Sequence, residues 1–354
     1  MANVRQITDG PAISHPTYFL QSSFFPGGRS MFFTSYRSGS PQVWQSSLET
    51  GETSQITDGA PIHPFSAALH PDGQSLIVTR GGGLWTVSAA DKSGRCIFEA
   101  AGAELGECSI SPDGDWLVAA YKQGPQCGLV TGRFNGAGWH AIPFPRTVIH
   151  PQFHPLEPDW IEFAGDPAPR MHRVRREGSG MECLYEHGND EFIVHETFLR
   201  SSGDLVFTVW PRALCRMDWT TRQIATIAEY NAWHIAPDKR GERILCDTNH
   251  PDEGLQIIDV ATGARRQLCL SHSSNQGSQW RKSCYAVASD FADAIKRADG
   301  ARAKNNLSWM ENAADTVYGP QYTHPHSSWS FEEDKVAFAS DRTGVTQVYV
   351  VEVA

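Results

Sequence analysis

The 354-residue chain contains no run near the ~18–20 apolar residues that a membrane-spanning helix needs, so membrane spans and membrane partners are not expected. Its eight cysteines, Cys96 to Cys284, include no Cys-x-x-Cys pair, which argues against a zinc ribbon, and a chain this long needs no disulfide framework. There is no excess of positive charge. At a net −10 a nucleic-acid partner is disfavoured, although a locally positive cleft would still admit a small anionic substrate. The first residues, Met1-Ala2-Asn3-Val4-Arg5-Gln6-Ile7, hold no apolar stretch of signal-peptide length, which predicts a cytoplasmic protein. No Gly-x-Ser-x-Gly elbow or α/β domain is present, which argues against a hydrolase of the prolyl-peptidase kind.

What the chain does have is a repeat: a Pro-Asp-Gly-like turn followed by four to six β-favouring residues. It is plainest at Phe25-Pro26-Gly27-Gly28, Leu69-His70-Pro71-Asp72-Gly73 and Ile110-Ser111-Pro112-Asp113-Gly114. Weaker copies begin at Phe153, Leu199, Ile235 and Trp329, which makes seven. Proline sets φ for the turn, Asp and Gly accept its tight geometry, and alternating apolar residues form the half-buried strand behind it. A second hairpin follows several copies, as at Glu49-Thr50-Gly51 and Ala261-Thr262-Gly263, and two hairpins make a four-stranded blade. The first copies are spaced by about 40–45 residues, the length of a propeller blade.

The expected fold is therefore an all-β, seven-bladed β-propeller occupying residues 1–354 as one domain. The N-terminal Arg5-Gln6-Ile7-Thr8-Asp9-Gly10 nearly duplicates Ser54-Gln55-Ile56-Thr57-Asp58-Gly59, and the chain ends on a third-strand pattern. Residues 4–8 are thus expected to supply the missing fourth strand and fasten the ring. Between blades six and seven the alternation stops. Residues 284–297 read as an amphipathic helix within an insertion at about 275–318, either a lid or a decoration.

The strongest local signal is Gln321-Tyr322-Thr323-His324-Pro325-His326. In an extended strand His324 and His326 face the same way, and Gln321 can reach the same point from the incoming loop. Two imidazoles and an amide oxygen suit a divalent ion such as manganese (Mn2+). Counting back from the turns puts His195 of blade five and His234 of blade six at matching places, where entering strands converge on the central channel. Arg170 opens the strand after the inner hairpin of blade four and could offer its planar fork to a carboxylate. Tyr18, His15, His150 and His272 lie near the channel and favour structural, hydrogen-bonded roles, while His70 and His154 belong to turns.

At these residues the chain resembles the oligogalacturonate lyases, seven-bladed propeller polysaccharide lyases that use manganese. The likeness runs from Phe25-Pro26-Gly27-Gly28-Arg29 through Thr323-His324-Pro325-His326 to Asp341-Arg342-Thr343-Gly344. The resemblance implies that Gln321, His324, His326 and His234 are metal ligands, that His195 is the catalytic base and that Arg170 is the active-site arginine. Tyr18 and His272 join Arg170 as candidates for substrate contact. It also implies β-elimination at a uronate of a short oligogalacturonide or related oligouronide, with a 4,5-unsaturated product. The competing reading is a non-catalytic, TolB-like propeller that binds proteins or ligands, which would need no metal and no histidine-lined cavity.

Overall fold

The computed structural model describes residues 3–188, 190–248, 252–274 and 323–353. Gln321 and the whole helical insertion expected at about 275–318 lie outside the described residues. Among the described residues there are seven four-stranded antiparallel sheets and no α-helix, the architecture of a seven-bladed propeller. No helix is long and apolar enough to cross a membrane among these residues.

Each sheet starts with an inner strand. In chain order the inner strands are Ser14–His15, Ala68–Leu69, Glu104–Ile110, Thr147–Phe153, Ile193–Phe198, Ala232–Pro237 and Ser328–Trp329. The Pro-Asp-Gly turn connects each inner strand to the next one outward. In blade two the Asp72 carboxylate accepts the backbone N–H groups of Gln74 and Ser75 at 2.7 and 2.9 Å, and Gly73 takes φ +71°. These turns also link blades: His70 bonds the Gly114 carbonyl at 3.0 Å, and His154 bonds the Gly203 carbonyl at 3.0 Å. A Cβ at Gly203 would stand 2.5 Å from the His154 ring, so this contact requires glycine.

Hydrophobic packing lies between neighbouring sheets. Leu76 and Val78 of blade two pack on Phe32 and Val43 of blade one, and Val336 and Phe338 of blade seven pack on Leu245 and Ile257 of blade six. The ring is joined across its ends in the same way, with Ala337, Val348 and Val350 against Met31 and Phe33. Along the axis Tyr18, Phe19 and Phe65 form a separate buried cluster.

Blade seven takes its outer strand from the N-terminus. Val4–Gln6 pairs antiparallel with Gln347–Glu352, placing Val4 opposite Val351 and Gln6 opposite Tyr349. The duplicated Gln-Ile-Thr-Asp-Gly segments explain the pairing at atomic level. Thr57 Oγ1 donates to Gln42 Oε1 at 2.6 Å and accepts from Val43 N at 2.8 Å. Thr8 Oγ1 repeats the pattern, donating to Gln347 Oε1 at 2.6 Å and accepting from Val348 N at 2.9 Å. Gln42 and Gln347 then donate to the Gly59 and Gly10 carbonyls.

Thr8→Val keeps the side-chain shape but leaves a buried amide and a buried glutamine without their partner. It is expected to cost about 1–3 kcal/mol, read as a lowered thermal unfolding midpoint. An unchanged midpoint would show that the terminal strand contributes little to holding the ring.

Candidate metal and catalytic centre

The inner strands of blades three to six share one irregularity. Their pairing slips by one residue between Leu105 and Cys108, Ile149 and Gln152, Val194 and Thr197, and Ala232 and Ile235. Each is a β-bulge, in which two residues oppose one and the strand re-aims its side chains. The bulges carry Glu107, His150, the His195–Glu196 pair, and the Trp233–His234 pair. His195 and His234 are one place out of register with each other, so counting from the turns misses equivalence by a residue. The true counterpart of His195 in the neighbouring blade is His150.

His150, His195 and His326 have φ of +56°, +59° and +45°. The left-handed region costs a non-glycine residue about 1–2 kcal/mol, so the surrounding contacts must hold these backbones in place. His195, His234, His324 and His326 meet at the axis. The His234 ring centre lies 4.6 Å from that of His195, 5.6 Å from His324 and 4.2 Å from His326. One ligand atom each from His234, His324 and His326 falls within 4.8 Å of the others, so the three could hold one metal ion.

Asp247, on the second strand of blade six, organises this cluster. One carboxylate oxygen accepts the His234 backbone N–H at 2.9 Å. The other lies 2.8 Å from His234 Nδ1 and accepts the His326 backbone N–H at 3.2 Å. With Nδ1 committed as a donor, the lone pair of His234 sits on Nε2, which is buried and makes no hydrogen bond among the described residues. That buried nitrogen and two neighbouring imidazoles fit a divalent metal.

Arg170, 3% exposed, lies beside the cluster. Its Nε and Nη2 donate to Glu196 Oε1 and Oε2 at 3.0 and 3.3 Å. Burial alone would raise the Glu196 carboxyl, but the charge and hydrogen bonds of Arg170 outweigh it and hold the group below its usual value. Glu162 is pushed well above the carboxylate range by burial and by the Glu196 charge. Gln152 ties the two blades together, donating to the Glu196 carbonyl and accepting from Thr197 Oγ1, both at 2.8 Å.

Tyr18 is buried and packs against His150 and His326, with ring centres 5.0 and 5.1 Å away. His15 is buried and bonds the Pro16 carbonyl. His272 is exposed, with φ +49°, and among the described residues no ring contact joins it to the buried histidines. A cavity of about 590 Å³ opens on the turn side of the axis, lined by Ser109, Gln152, Thr197 and Trp329 among others, and none of the clustered histidines lines it. Phe19 is the shared wall: it lines that cavity, and its ring lies 5.3 Å from His195 and 5.4 Å from His234.

Asp247, Glu196 and Glu107 were not singled out from the sequence. A usable signal exists for Asp247, an acid that interrupts the apolar run Ile244-Leu245-Cys246 in an inner hairpin. Buried acids so placed need a partner.

No family model matches the chain. The oligogalacturonide lyase of Pectobacterium atrosepticum is 20% identical over 383 residues, covering 99% of this chain and 93% of that protein. The oligogalacturonate lyase of Dickeya dadantii is 21% identical over 404 residues with the same coverage. The chain resembles the oligogalacturonate lyases over its whole length. A solved oligogalacturonate lyase in complex with manganese superposes with a TM-score of 0.80 at 18% identity, covering 100% of this chain and 93% of that one. At that identity the superposition shows a shared fold.

Burial controls the titration of the centre. It pushes His15 and His63 down to about 4 and His150 to about 3. His195 and His326 also fall well below the usual value, through burial first and the adjacent His234 second. These five imidazoles stay neutral in the fold yet take up protons in the unfolded chain below about pH 6.5. Their contribution to stability is therefore complete above that pH and is lost as pH falls toward 4 and below. Glu107, raised to about 7 by burial, Glu162 and Asp252 act with the opposite sign, losing stability as pH rises, but they are outnumbered by the lowered imidazoles, which also include His154, His172 and His187. The unfolding midpoint of the metal-free protein is expected to drop by about 5–10 °C between pH 7 and pH 4.5. A flat profile over that range, followed calorimetrically, would contradict the buried-neutral assignment.

Proposed function

We propose that this protein is a metal-dependent lyase that cleaves short oligogalacturonides or closely related oligouronides by β-elimination. The observation that carries the reading is His195, an imidazole kept neutral by burial and lying against the His234–His324–His326 cluster. The whole-length resemblance to oligogalacturonate lyases supports it.

A uronate resists loss of its C5 proton because the adjacent carboxylate opposes further negative charge. A divalent ion, manganese by analogy with the solved relative, would be held by His234, His324 and His326, with Gln321 as the further ligand that the resemblance implies, and would supply positive charge at that carboxylate. Arg170 adds a second cation, its guanidinium fixed in orientation by Glu196. Such preorganised charge stabilises the enolate-like electron pair as it develops. Neutral His195 accepts the C5 proton. The C5 electron pair forms the C4–C5 double bond, the C4–O bond breaks, and the departing oxygen leaves as the hydroxyl of the shorter sugar once protonated. Asp247 keeps His234 in the tautomer with its Nε2 lone pair available.

With manganese and oligogalacturonide supplied, ultraviolet absorbance of the conjugated product should grow, and chelator should stop it. His195→Ala is expected to reduce the rate by at least ~10²-fold while retaining bound metal. Normal turnover by that variant would remove His195 from the role of base. Asp247→Asn is expected to weaken manganese binding by about 10–100-fold in equilibrium dialysis. Undiminished affinity would mean that the carboxylate does not set the ligand geometry.

A further inference from the structure

We infer that His150 is a second substrate-facing imidazole, which hydrogen-bonds a sugar oxygen of the oligouronide beside His195; this rests on the lyase reading above. The sequence favoured a hydrogen-bonded structural role for this residue. Its ring contradicts that role: it is 3% exposed, yet among the described residues neither Nδ1 nor Nε2 has a hydrogen-bond partner. The nearest carboxylate oxygen, Glu107 Oε1, is 3.7 Å from Nε2, beyond hydrogen-bond reach. Glu107 bonds the backbone of His150 instead, accepting its N–H at 2.7 Å.

The backbone makes the same point. His150 occupies the bulge position in blade four that His195 occupies in blade five, and both residues are left-handed. A histidine serving only as packing would not need that conformation, because a bulge accepts glycine there at no steric cost. The two rings lie nearly parallel, with centres 6.3 Å apart and planes at 27°. Tyr18 stacks on the His150 ring at 5.0 Å and fixes its plane. A neutral imidazole offers one donor and one acceptor, a pair suited to a hydroxyl or to the ring oxygen of a sugar acid.

Two variants test the inference. His150→Phe keeps a flat ring against Tyr18 and removes both nitrogens; His150→Asn tolerates the left-handed backbone and retains a donor and an acceptor. Each is made alone and in the His195→Ala background, loaded with manganese and titrated calorimetrically with trigalacturonate. His150→Phe should weaken trigalacturonate binding at least ~10-fold with manganese content unchanged, and His150→Asn should recover part of the loss. In turnover the loss should appear mainly in KM. Equal affinities across the series would overturn the role of His150, and so would a loss of affinity that merely follows a loss of manganese. Trigalacturonate binding without unsaturated product would defeat the lyase reading while the affinities still judge His150. No binding by the unsubstituted protein would overturn both.

Discussion

The polar centre of this molecule depends on an extra residue in the inner strands of blades three to six. A regular antiparallel strand alternates its side chains between two inter-blade cores, which are apolar throughout this ring. The bulge breaks the alternation and lets Glu107, His150, His195, Glu196 and His234 approach the axis without opening the sheet. The rest of the inner strand then returns to register and continues into its turn.

Holding so many polar groups in a buried space requires that each be neutral or paired. His15, His150, His195 and His326 are held neutral by burial, Arg170 and Glu196 form a buried ion pair, and Glu162 is held toward its protonated form beside them. Asp247 joins blades six and seven by accepting from His234 and from the backbone of His326. A buried ion pair adds little net stability, because desolvation offsets most of its attraction. Its value here lies in orientation.

The seam of the ring follows a different rule. The segments around Thr8 and Thr57 form the same short hydrogen bonds because they carry the same Gln-Ile-Thr-Asp-Gly sequence. The N-terminal strand supplies backbone partners to an edge that would otherwise be exposed, and packing between blades seven and one adds side-chain contacts.

Repeat, turn chemistry and blade number were legible in the sequence because each rests on local preferences: proline at a turn, glycine at positive φ, alternation in a strand. His195, His234, His324 and His326 were also legible as a converging set, since they precede or enter inner strands. The bulges were not. A one-residue slip leaves the hydrophobic pattern almost unchanged, so counting from the turns matched His195 with His234 rather than with His150. Asp247, Glu196 and Glu107 were out of reach for a related reason: an acid in an apolar strand gains meaning only from a partner on another strand or blade. The sequence alone determined which residues could form blades and carry chemistry. Which of them meet is set by ring closure, which brings together side chains that no local pattern relates.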